Sequence, residues 1–142
     1  EIDKILMNLV LTDDALTKKK LAKKIWNMAY KKGIYPSSIH DYYIARGRDE
    51  FNGSTVPAIN LRTLTYDLAK AIFRVGQKNL ARAFIFEIAK SEMGYTAQSP
   101  VEYSAVILAA AIKEGFSGPV FIQGDHFQAN LKNLLLKPEN YI

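Results

Sequence analysis

The residues best able to do chemistry stand together at the end of one short apolar run. Gly118 and Pro119 break the chain, Val120, Phe121 and Ile122 follow, and the run ends abruptly in Gln123, Gly124, Asp125 and His126. Its length and its flanking breakers predict a buried strand. An acid and an imidazole at the end of such a strand are costly unless they are paired, metal-bound or solvated in a site. In parallel α/β folds that end is where ligands bind. The two-residue period of a strand puts Gln123 and Asp125 on one face, and Gly124 and His126 on the other. A neutral imidazole suits a divalent metal such as Zn²⁺, which polarises a carbonyl as a Lewis acid. An adjacent carboxylate aimed into the pocket can carry a proton to and from a hydroxyl. Together they suit reactions through an enediolate, such as reversible carbon–carbon cleavage of a ketose. The blander alternative is a polar strand end satisfied by its neighbours. A catalytic zinc needs about three protein ligands. His40, beside Asp41 and two tyrosines, reads as a surface or helix-packing residue, so the other ligands are expected beyond Ile142.

Two more strand candidates change character in the same way. Residues 55–61 are apolar until Asn60, with Pro57 near the start, where proline is tolerated. Residues 83–89 are apolar on both faces, as in a buried parallel strand, except for Glu87. An ionised carboxylate among Phe84, Ile85, Phe86 and Ile88 is expensive unless paired or in a site. Three parallel strands with polar C-terminal ends predict one shared pocket, the pattern of a barrel with its site at the strand mouths. No Gly-x-Gly-x-x-Gly or Gly-x-x-x-x-Gly-Lys follows any of them, which leaves a nucleotide-binding open sheet without support.

The elements that must position these residues alternate. Residues 4–11 predict a short helix. Thr12, Asp13 and Asp14 offer an N-cap for a second, running to about Lys32, with Leu21, Ile25 and Met28 on one apolar line, Ala22, Trp26 and Ala29 on the next, and Gly33 as the stop. Pro36, Ser37 and Ser38 restart the chain before a short helix from Ile39 to Ala45 and a turn-rich link through Gly53. Leu64, Leu68, Ala71, Ile72 and Val75 have helical spacing, with Gly76 as the end. Lys90 to Gln98 reads as a polar loop. Ser99 and Pro100 open a helix carrying Val106, Ile107, Ala110 and Ile112 that stops at Gly115. Residues 129–137 read as a last short helix. The order is helices, then β-α-β-α-β, which implies parallel strands. The expected division is an N-terminal helical segment, 1–54, and the first β-α units of a barrel, 55–142. A start without Met and an end just after a proline lead us to expect part of a longer chain.

Bulk properties bound the rest. The 142 residues are 49% apolar and 23% charged, enough for one globular domain with a real core. Cysteine is absent, which excludes disulfides, zinc–thiolate sites and a thiol nucleophile, and is compatible with the expected cytoplasmic location. No apolar run is long enough to span a bilayer. The net charge of +5 is concentrated in Lys18, Lys19, Lys20, Lys23, Lys24, Lys31 and Lys32. These read as the solvated face of an amphipathic helix, so neither a nucleic-acid nor a membrane partner is expected.

The order Val56-Pro57-Ala58-Ile59-Asn60, then a strand with a polar end, then Gly118-Pro119 and Gly124-Asp125-His126, resembles the class II, metal-dependent fructose-bisphosphate and tagatose-bisphosphate aldolases. That family opens a strand with V-P-A-x-N and ends its third strand in Asp-His. Phe86-Glu87-Ile88-Ala89, Gly94-Tyr95-Thr96 and Ser99-Pro100 look like the branch containing the tagatose-bisphosphate aldolase accessory subunit. The likeness covers roughly residues 55–128. It implies a (β/α)8 TIM barrel, a divalent ion of the zinc type, a phosphorylated ketose as substrate, cleavage to dihydroxyacetone phosphate, and a homo-oligomer. By motif, Asp125 is the acid/base and His126 the first metal ligand, while Asn60, Glu87 and Gln123 are the expected substrate-binding residues. The family's third strand usually reads His-x-Asp-His, where this chain has Gln123. Its second usually ends in a Ser-Asn pair, where this chain has Glu87. Those two departures favour the alternative, a non-catalytic aldolase-like subunit that stabilises a partner enzyme.

Overall fold

The structure is a computed structural model that describes residues 1–128 and 131–136. Helix α1 (Ile2–Leu11) buries Ile2, Ile5, Leu6 and Leu9, the stripe its spacing dictates. Asp14 then caps α2 (Ala15–Lys31): its carboxylate accepts the Thr17 N–H at 2.8 Å. Gly33, at φ +72°, takes the left-handed turn that ends this helix and starts strand β1 (Ile34–Ser37). Then come α3 (His40–Gly47), β2 (Ala58–Asn60), α4 (Thr65–Lys78), β3 (Ile85–Ala89), α5 (Lys90–Thr96), α6 (Pro100–Lys113), β4 (Gly118–Asp125) and α7 (Leu131–Leu136).

The four strands form one parallel sheet in the order β1-β4-β3-β2. The three expected strands are therefore present, parallel and adjacent in sequence order. β1, which the sequence reads only as a restart of the chain, adds to the far edge of β4. A Gly118 N–H donated to the Gly33 carbonyl at 2.9 Å fixes the start of that pairing. Pro36 lies on the edge strand, where its missing N–H costs least.

Alternation along the strands divides the sheet into two faces. Phe86, Ile88 and Val120 point to one, into a core shared with α1, α2, α4 and α6. At its centre the Phe73 ring of α4 packs at a tilt against Phe86 (centroids 5.2 Å apart) and Phe116 (4.9 Å). Helix α6 is the spine: Tyr103 and every residue from Ala105 to Ala111 are buried, because helices and sheet surround it. On the other face Ile85 and Phe121 meet Ile39, Tyr42 and Val56, a small cluster that covers only its lower part.

Helix α4 turns a different side inward from the one its spacing suggests. It buries Ala69, Phe73 and Gly76, while Leu64, Leu68 and Val75 are exposed. Gly76 does not end the helix; it lies within it, where a Cβ would come within 2.7 Å of Phe84 Cε1. Residues 90–98 are not all loop either, since α5 occupies most of them. Of the last expected helix, 129–137, residues 131–136 are helical and the others lie outside the described residues.

Candidate functional site

Strand register builds the site. Asn60 pairs with Glu87, and Glu87 with Gln123, so the three expected substrate-binding residues form one row across β2, β3 and β4. They share the face that carries Ile85 and Phe121, opposite the helical core. Asp125, paired with Ala89, stands one layer nearer the strand mouths on the same face. Glu87 is half-buried rather than enclosed, and its carboxylate accepts a hydrogen bond from Gln123 Nε2. The cost of an acid within β3 is thus met by partial solvation and an amide, with no Lys or Arg partner among the described residues. The Tyr103 hydroxyl, buried beneath, donates to the Glu87 carbonyl at 2.7 Å and pins the strand from below. Burial pushes that phenol's ionisation upward, so it stays a neutral donor.

Asn60 is the joint of the cluster. Its Nδ2 donates to Asp125 Oδ2 at 3.0 Å and to Glu92 Oε2 at 3.0 Å. Both amide protons are therefore spent, and Oδ1 is the atom of the amide left to meet a further donor. The free oxygen of Asp125, Oδ1, lies 3.3 Å from His126 Nε2. His126 itself sits at φ +50°, in the left-handed region, with its side chain 80% exposed. Among the described residues, its polar side-chain contact with the cluster is with Asp125. His40 is exposed at the start of α3 and takes no part.

Glu92 is the residue sequence reasoning misses. It lies in α5, within the stretch read as a polar loop, yet it is only 4% exposed. Its carboxylate accepts from the Ala89 N–H at 2.9 Å, from Asn60, and from Arg62 Nε. The available signal was its place at the third position of a helix that starts where β3 ends, from which a Glu reaches back to the N-cap N–H. Burial pushes its ionisation up. The hydrogen bonds from Ala89, Asn60 and Arg62 outweigh that and hold the carboxyl below its ordinary range. A carboxyl lowered on folding contributes stability above its unfolded pKa of about 4.3, lost as pH falls through the lower folded value. Urea midpoints measured between pH 6 and pH 3 should therefore drop more steeply in the native protein than in Glu92→Gln, with the difference confined to the acid end.

A zinc-type ion at His126 is a question of donors. Among the described residues no group of three or more His, Cys, Asp or Glu is placed to hold one. Asp125 and His126 are donors of the right type, but they are two, and about three are needed. The described residues do not fit a complete metal centre on their own.

Comparison with protein-family models, with curated proteins and with solved structures gives no match for this chain. Fold and site together define a class: an α/β protein whose helices alternate with a four-stranded, all-parallel sheet. Its acids and amides gather at the carboxyl ends of three adjacent strands.

Proposed function

We propose that this chain belongs to a lyase that makes and breaks a carbon–carbon bond beside the carbonyl of a phosphorylated ketose, in the manner of the class II aldolases, and that its sheet is a stretch of a (β/α)8 barrel. The observation that carries this is the placement of Asp125 above the row Asn60, Glu87 and Gln123, on the open face at the strand mouths. In the cleavage direction Asp125 takes the proton of the hydroxyl on the carbon being released. The carbon–carbon bond breaks, its electron pair passes to the ketone as an enediolate, and Asp125 returns the proton to carbon. Asn60 Oδ1 and the Glu87–Gln123 pair are placed to hold the hydroxyls of the chain. A zinc-type ion belongs to this reading only with further ligands from outside the described residues.

Two features support the barrel. Helices α4 and α6, which link β2 to β3 and β3 to β4, pack together on one face and leave the other for a site. The free edge of β2 runs beside an apolar groove of about 460 Å³, lined by Ile59, Leu68, Ile72, Val75 and Phe84. A further parallel strand with its helix would cover both. The next strand after β4 would add at the edge that β1 holds, so a barrel requires β1 to leave it.

The second reading, an aldolase-like subunit without catalysis, is favoured by one observation. The amide protons of Asn60 and the Glu87–Gln123 pair are satisfied within the protein. Metal content and aldol cleavage of fructose 1,6-bisphosphate, measured on the protein at its native length, separate the two. Bound metal and dihydroxyacetone phosphate release are the expected result; neither would be seen from a subunit that only supports a partner.

A further inference from the structure

We infer that Glu92 is the positioning residue of this site: it sets the orientation of Asn60 and through it selects which oxygen of Asp125 is free to work. The inference rests on the reading of Asp125 as the proton carrier. Asn60 has two Nδ2 protons, and the Asp125 carboxylate, an acceptor, could take either of them. Glu92 removes that choice. Its Oε2, an acceptor only, takes one Nδ2 proton at 3.0 Å, which turns the other toward Asp125 Oδ2, also at 3.0 Å. The reversed amide would set its carbonyl oxygen against two carboxylates.

Glu92 can do this because it is itself fixed. The Ala89 N–H, at the end of β3, holds Oε2 from the backbone at 2.9 Å, and Arg62 Nε holds Oε1. Arg62 stands two residues beyond Asn60 and is 60% exposed, while the Glu92 side chain is 5% exposed, so the ion pair is anchored at its buried end. The series runs from Ala89 and Arg62 to Glu92, then to Asn60 and Asp125 Oδ2. Its last step leaves Asp125 Oδ1 as the oxygen turned to His126 and solvent. A buried carboxylate whose one oxygen is shared between the Ala89 N–H and the amide that meets the acid/base group does more than cap α5.

Glu92→Met tests this. Methionine fills the same space but offers no carboxylate oxygen, so the acceptor that the Ala89 N–H and the Asn60 amide share is lost. The Asn60 side-chain NH₂ signals, read by NMR with the proton facing Asp125 assigned by its response to Asp125→Asn, report the orientation. Both protons should move upfield in Glu92→Met, with turnover lowered about tenfold and KM within about twofold, the loss of one positioned hydrogen bond. An unmoved signal for the proton facing Asp125 would overturn the inference, since Glu92 would then be only a helix cap. Arg62→Gln, which touches Glu92 and not Asn60, is the second variant should the first not fold. It should shift the same proton in the same direction by less, and an unchanged position would again refute the role. Because the NMR readout needs no turnover, absence of aldol activity would count against the aldolase reading and leave the positioning result standing.

Discussion

Asp125→Asn is expected to lower turnover by about 10²–10⁴-fold, the usual worth of a positioned acid or base, while the fold survives. The side chain is 25% exposed at a strand mouth, outside the apolar core, and asparagine keeps an oxygen for the Asn60 amide. Little packing is lost, so the unfolding free energy from urea titration should stay within about 1 kcal/mol of the native protein's, as for substitutions away from the core. Were Asp125 only a polar strand end satisfied by its neighbours, Asp125→Asn would leave turnover per folded molecule unchanged. Turnover and stability measured on the same preparation decide between them.

Phe73→Ala is expected to do the opposite. Phe73 is fully buried and stands against Phe84, Phe86 and Phe116, where α4, β3 and the approach to β4 meet. Truncating a core phenylalanine costs about 3–5 kcal/mol, because the lost transfer energy is joined by the cavity left behind. Surviving folded protein should retain its turnover per molecule, since no atom of Phe73 reaches the polar face. Denaturant unfolding measures the loss. A change under about 1 kcal/mol would mean that this face is not the core we describe.

The contrast between these two residues shows what could be read from sequence. The strands at 58–60, 85–89 and 118–125 were legible because each is a short apolar run between breakers, and the register then brings Asn60, Glu87 and Gln123 into one row. β1 was not legible. Four residues containing a proline carry no period, and only the partner strand β4 makes them a strand. Helix α4 was found from Leu64, Leu68, Ala71, Ile72 and Val75, yet it buries Ala69, Phe73 and Gly76. The helix is apolar on two sides, and α6 decides which is covered. Glu92 escaped because Gly94 and polar neighbours read as loop, whereas a carboxylate with three donors belongs to tertiary structure. The asymmetry of Asp125 and His126 was also hidden. A strand period assigns faces, but the left-handed turn at His126 ends the strand and carries the imidazole out to solvent.

The most direct test is solvent exchange at the carbon next to the carbonyl of dihydroxyacetone phosphate, with no aldehyde present. Formation and return of the enediolate alone moves that hydrogen, so the measurement isolates the proton transfer assigned to Asp125 from the rest of the aldol reaction. In D₂O with zinc supplied, NMR should show deuterium entering that carbon with the native protein at its full length, and at least a hundredfold more slowly, the lower end of the acid–base range, with Asp125→Asn. Exchange that proceeds equally well in Asp125→Asn, or none at all in the native protein, would contradict the assignment.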